Sequence, residues 1–111
     1  MLNQEDSIQK DINILELTDL KIARYLNKVV HIGDLIYDLE SYLNQLTTVD
    51  GPWKKDFRTI WLDIEVAYSL ALDKGFENLT EEGAVLTENS LTNLKTMVQN
   101  KLIDLKSRKK G

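Results

Sequence analysis

Apolar residues recur every seven positions through the first half of the chain. Met1, Ile8, Leu15, Ile22, Val29, Ile36 and Leu43 form one row, and Tyr25, Ile32, Leu39 and Leu46 form a second row three residues on. Two rows at this offset make one apolar stripe on a helix, so the spacing predicts helix from about Gln4 to Leu46. The second row fails at Asp11 and Thr18. An unbroken helix of that extent would be about 64 Å long at ~1.5 Å per residue, which is long for one small domain. Thr18 followed by Asp19 can cap a new helix, and Ile12–Leu17 has some strand character. A break or kink is therefore expected near Leu17–Asp19, although the heptad phase does not demand one. Gly33 lies inside the pattern, where close helix approach or a mild bend would explain a residue that weakens helices.

The stretch Thr47–Pro52 reads as a turn. Asp50 can cap a helix, and Pro52 suits a first helical turn, where its missing N–H is not needed. The next helix is expected from about Pro52 to Lys74, ended by Gly75 in the left-handed conformation. Trp53, Phe57, Ile60, Trp61, Ile64, Tyr68, Ala71 and Leu72 form its stripe, with Leu62, Val66 and Leu70 outside it. A helix that is apolar on more than one face is usually packed on two sides, which predicts a central place in the bundle. Phe57, Trp61, Ile64 and Tyr68 are expected to face Ile22, Val29, Ile36 and Leu43. Phe76–Asn89 is the least regular stretch: Thr80-Glu81-Glu82 can start a short turn that Gly83 weakens. Thr87 or Asn89 would then cap a last helix with Leu91, Leu94, Val98, Leu102 and Leu105 inward. The fold class expected is all-α: an antiparallel helical bundle of three to four helices with a long N-terminal helical segment.

Composition narrows the class. The 111 residues suit one domain, residues 1–111, with 42% hydrophobic and 29% charged residues. There is no cysteine, so disulfides and thiolate metal sites are excluded. No apolar run approaches the roughly 20 residues of a membrane span, and Met1–Asp11 lacks a basic-then-apolar signal pattern. A cytoplasmic protein with no membrane partner is the expectation. The net charge is −4, unevenly spread: residues 101–111 carry five cations against Asp104, a net +4 that leaves −8 on the rest. An acidic body argues against nucleic acid as a ligand, and basic residues at a helix C-terminus complement the macrodipole.

Little in the sequence assembles chemistry. Arg24 and the only histidine, His31, match the loose R-x(4–6)-H spacing of HEPN-type ribonucleases, which are also small and all-helical. Tyr25 after the arginine and the early position depart from that pattern. Asp34 and Asp38, one turn apart, with Asp63 and Glu65, could suggest the magnesium-binding acids of helical nucleotide pyrophosphatases. The E-x-x-E pair of those enzymes is absent, and Glu16-Leu17-Thr18-Asp19 has only the second spacing. One histidine builds no histidine-rich metal cluster. No Gly-rich phosphate loop is present, and no serine has a recognisable base. No catalytic residue, cofactor or metal is therefore assigned. Residues 43–61 resemble the hairpin of secreted WxG-type proteins in outline, but the turn reads Gly51-Pro52-Trp53 rather than Trp-x-Gly.

The function expected is non-enzymatic protein–protein interaction, in the manner of a small acidic immunity or inhibitor-type protein that binds a basic partner. The alternatives are a self-associating helical adaptor or secretion partner and, in a different class, a helical hydrolase. Candidate interaction residues are Trp53, Leu62, Val66, Leu70, Asp34 and Asp38. Trp53 reads either as a lid on the bundle end or as an anchor for a partner. A protein partner is expected, and so is a homodimer held by the long first segment and the central helix, should that segment stay unbroken.

Overall fold

The computed structural model describes residues 4–75 and 79–110. Met1 of the heptad row and the Phe76 end of the irregular stretch lie outside them. Four helices follow one another: α1 (Gln4–Leu26), α2 (Ile32–Gln45), α3 (Gly51–Asp73) and α4 (Glu81–Lys110). Among the described residues no strand occurs, and the chain is an all-α bundle.

The helices form a ring in which α1 packs on α2, α2 on α3, α3 on α4 and α4 on α1, with no packing across either diagonal among the described residues. Polar contacts fix the directions. Lys21 pairs with Asp38 at 2.6 Å and Asp11 reaches Thr47 at 3.1 Å, so α1 and α2 run antiparallel. Arg58 meets Asn44 at 2.6 Å while His31 meets Tyr68, which reverses α3 against α2. Lys95 pairs with Asp19 at 2.9 Å and Lys109 bonds Gln9, which reverses α4 against α1. The result is an up-down-up-down four-helix bundle.

The long first segment does break, but not where the sequence suggests. Residues 17–19 are continuous helix, and the chain turns at residues 27–31. Thr18 starts no helix; its hydroxyl donates to the carbonyl of Ile14 at 2.9 Å, inside α1. Ile12–Leu17 is helical rather than extended. At the real break, the N–H of Val29 donates to Arg24 and that of Lys28 to Tyr25, both at 2.9 Å, with Lys28 at φ 63°. These are the two bonds of a Schellman motif, with lysine at the left-handed position usually given to glycine. Val29 keeps the heptad phase yet is 70% exposed, because it sits in this turn.

The other helix ends follow the sequence more closely. The Asp50 carboxylate accepts from the N–H of Trp53 and caps α3, with Pro52 in the first turn. Gly75, at φ 80°, ends α3 with a bond from its N–H to Leu72. The last helix starts earlier than expected. Thr80 accepts from the N–H of Gly83 at 3.0 Å, so α4 begins at Glu81, and Thr87 and Asn89 are interior. Gly83 brings α4 close to α3, since a Cβ there would lie 3.8 Å from that of Ala67.

The core gathers Ile8, Ile12, Leu15 and Ile22 of α1, Ile32, Leu35, Leu39 and Leu43 of α2, Phe57, Trp61 and Ile64 of α3, and the expected row of α4. Helix α3 occupies a corner of the ring, not the centre, and its outer side carries Leu62, Val66 and Leu70 at 50%, 53% and 55% exposure. Because α1 and α3 are diagonal, Ile22 does not pack helix-to-helix against α3; Ile36 and Leu43 of α2 are the row members on a neighbouring helix. Of the apolar stripe of the first segment, Ile8, Leu15, Ile22, Ile32, Leu39, Leu43 and Leu46 are buried within the four helices, while Val29 is exposed.

Candidate interaction face and the His31 cleft

The features at the α1–α2 turn serve the fold. Its geometry holds a cleft of about 480 Å³ lined by Tyr25, Lys28, Val29, His31, Leu79 and Glu88, among others. His31 precedes α2 and caps it: its Nδ1 accepts from the N–H of Gly33 at 3.0 Å. Its ring meets the edge of Tyr68 at 5.9 Å. A Cβ on Gly33 would come within 3.2 Å of both His31 Nδ1 and the Tyr68 hydroxyl, so glycine permits this contact. Burial pushes the Tyr25 phenol above its usual value, and the nearby Glu88 charge adds to the rise. Arg24 does not line the cleft. The arginine and histidine of the HEPN-like spacing therefore do not both line this cleft.

The acidic pair separates into two roles. Asp38 is held by Lys21 at 2.6 Å, and that bond leads the causes that raise the lysine's pKa. Asp34 stays exposed on the same helix. No group of three or more His, Asp or Glu side chains that could hold a metal occurs among the described residues. Trp53 is half-buried, packed on the core and tilted against Phe57 with ring centroids 5.4 Å apart.

Leu62, Val66 and Leu70 come together with residues the sequence did not single out. They follow one another at intervals of four on α3, hence on one face. Val66 and Leu70 line a cleft of about 320 Å³ whose far wall is Thr80, Glu82, Gly83 and Leu86 of the start of α4. Leu86 and Glu82 continue onto a shallow surface with Val85, Glu81 and Asn89. Val85 and Leu86 are 59% and 45% exposed. The signal for them was present as two adjacent apolar residues, Val85-Leu86, outside the inward row of α4; the expected helix start hid it. The edges carry Asp63, Glu81 and Glu82 against one cation, Lys74. The face is an apolar strip with an acidic rim.

Among the described residues, two buried polar atoms have no hydrogen-bond partner, the indole nitrogen of Trp61 and the hydroxyl of Thr87. Both lie within the packed interior, at 5% and 0% exposure. No described helix is long and apolar enough to cross a membrane. Comparison with known proteins finds no matching family model, no similar curated protein and no similar solved structure.

Proposed function

We propose that this protein is a non-catalytic binding module, and that the α3–α4 face receives a basic amphipathic helix of a cytoplasmic protein partner. The observation that supports this reading most is that Val66 and Leu70 meet Leu86 across an open cleft, with Leu62 exposed on the same face of α3 and Val85 exposed beside Leu86 on α4. Contiguous exposed apolar residues with a polar rim are the usual surroundings of an interaction site. An amphipathic helix laid in such a groove uses apolar anchors every three to four residues. The rim of Asp63, Glu81 and Glu82 selects cations flanking those anchors. The acidic-binder expectation is thereby kept but moved from Asp34 and Asp38 to the α3–α4 edge, with Trp53 left to the bundle end.

A labelled synthetic helix of leucine and lysine, with a leucine–glutamate helix as its counterpart, tests the reading by fluorescence anisotropy. The basic helix should bind and the acidic one should not. Replacing Val66 and Leu70 together by serine should weaken binding at least tenfold without changing net charge. Binding that survives this double change, or equal binding of both helices, would overturn the assignment.

A further inference from the structure

Helix α4 carries a second exposed row, which shares Glu82, Val85 and Asn89 with the α3–α4 face and leaves it from Thr92 onward. Glu82, Val85, Asn89, Thr92, Thr96, Gln99, Ile103 and Lys106 are spaced alternately three and four apart, and all eight are exposed. That is the a/d spacing of a coiled-coil seam. Ile103 stands out on it, at 69% exposure. Val85 and Ile103 are five full turns apart at about 3.6 residues per turn, so they share one side of the helix.

The order of residue types along this row is symmetric about residue 94. Turned end for end, the row sets Glu82 opposite Lys106, Val85 opposite Ile103, Asn89 opposite Gln99 and Thr92 opposite Thr96. Acid meets base, apolar meets apolar, amide meets amide and hydroxyl meets hydroxyl. In an antiparallel helix pair each a position faces a d position of the other helix, and every one of these pairs obeys that rule. A surface that complements itself after reversal is what a two-fold interface requires.

We infer that the outer face of α4 is a self-association surface, on which a second copy of this chain pairs antiparallel with its own α4. The four central layers are uncharged and polar, so the dimer depends on concentration. The end layers, each with one Val85–Ile103 contact and one Glu82–Lys106 pair, set its register. The proposed seat of the homodimer is thus α4 rather than the first segment, most of whose stripe is buried in the bundle. Val66 and Leu70 lie on α3, off this row, but Glu82 and Val85 belong to both surfaces, so a second copy and the proposed partner helix compete for the start of α4.

The absence of native cysteine allows a direct test. Val85→Cys and Ile103→Cys are prepared as single variants of the full chain and oxidised separately and as an equimolar mixture. In the antiparallel register like positions are about 27 Å apart at ~1.5 Å per residue, too far for a disulfide. The mixture should form a covalent dimer and each variant alone should not. Crosslinking of either single variant with itself would show a different register and overturn the inference. So would a mixture that stays uncrosslinked. Sedimentation of Glu82→Lys and Lys106→Glu gives a second readout: each alone should dissociate more readily than the parent, and mixing them should restore the dimer. Equal masses at every concentration, or no rescue on mixing, would count against the pairing. In the absence of the leucine–lysine helix, the Val66→Ser/Leu70→Ser variant should still dimerise.

Discussion

Helices α1 and α3 are each 23 residues long, stand at opposite corners of the ring and share the same two neighbours, α2 and α4. They use their sequences differently. Helix α1 buries Ile8, Asp11, Ile12, Ile14, Leu15, Thr18 and Ile22, two of them polar. Helix α3 buries only Phe57, Trp61, Ile64 and Ala71, and leaves four large apolar side chains, Leu62, Val66, Leu70 and Leu72, about half exposed. Helix α3 buries fewer residues although it is the more apolar of the two. On α1, polar residues in the interior act as fasteners. On α3, four large apolar residues stand half outside the interior. Helix α1 exposes Leu17 and Leu20 too, but these line neither the α3–α4 cleft nor its outer shelf. The contrast separates residues that make the fold from residues free to meet something else.

Trp61 is the harshest test of the folding side. It is large, 5% exposed and part of the central cluster. Trp61→Ala should cost about 3–5 kcal/mol, as large-to-small core changes do, read as a lower urea midpoint. An unchanged midpoint would place the core elsewhere.

Asp11 should come next. Its carboxylate is fully buried and accepts from the N–H groups of Thr47 and Thr48 and from the Thr48 hydroxyl, the last two at 2.6 Å. One side chain of α1 thereby ties down the turn between α2 and α3. Asp11→Ala leaves those donors without their acceptor and should cost about 3 kcal/mol. Loss of protection of the Thr47 and Thr48 amides in hydrogen exchange would locate the effect. The sequence showed Asp11 and Thr18 only as interruptions of an apolar row. A polar residue in the stripe of a helix is equally the mark of a tertiary acceptor or of a hydroxyl bonded back to its own turn, and periodicity cannot separate these from a break.

Two gains of stability should follow. Thr87→Val keeps the shape of the side chain and removes a buried hydroxyl that has no partner, which should stabilise by about 1 kcal/mol. Lys28→Gly relieves the left-handed conformation at the end of α1, also by about 1 kcal/mol. The second change exposes what the sequence concealed. Gly75 announced the end of α3, since glycine is the residue that adopts this geometry without penalty. Lys28 takes up the same geometry with nothing in its type to mark it, and Val29 continues the heptad through the turn. The helical class, the α3 cap and the inward row of α4 were legible because caps and periodicity are local. The ring order was not, and neither was the outward aim of Leu62, Val66 and Leu70, because which neighbour covers a face is decided by the whole chain.

A smaller, pH-dependent effect belongs to the α3 cap. The Asp50 carboxyl is held below its ordinary value of 3.8, first by the bond from the N–H of Trp53, with a lesser part from Lys101. A lowered folded pKa means that its contribution is complete above 3.8 and is lost as pH falls through the folded value. Asp50→Asn should therefore reduce the acid dependence of stability in that window while leaving a capping side chain in place. A curve identical to the parent's below pH 4 would show that this cap does not titrate with folding.

The distinction between folding residues and contact residues is tested most directly by measuring two quantities on one variant, Val66→Ser/Leu70→Ser. Its urea midpoint should match that of the parent, since exposed positions away from caps and buried networks usually change stability by no more than about 0.5 kcal/mol. Its affinity for the basic leucine–lysine helix should fall at least tenfold, equivalent to about 1.4 kcal/mol. A midpoint lowered as far as by a core substitution, with affinity for the helix unchanged, would assign Val66 and Leu70 to the fold and contradict the account.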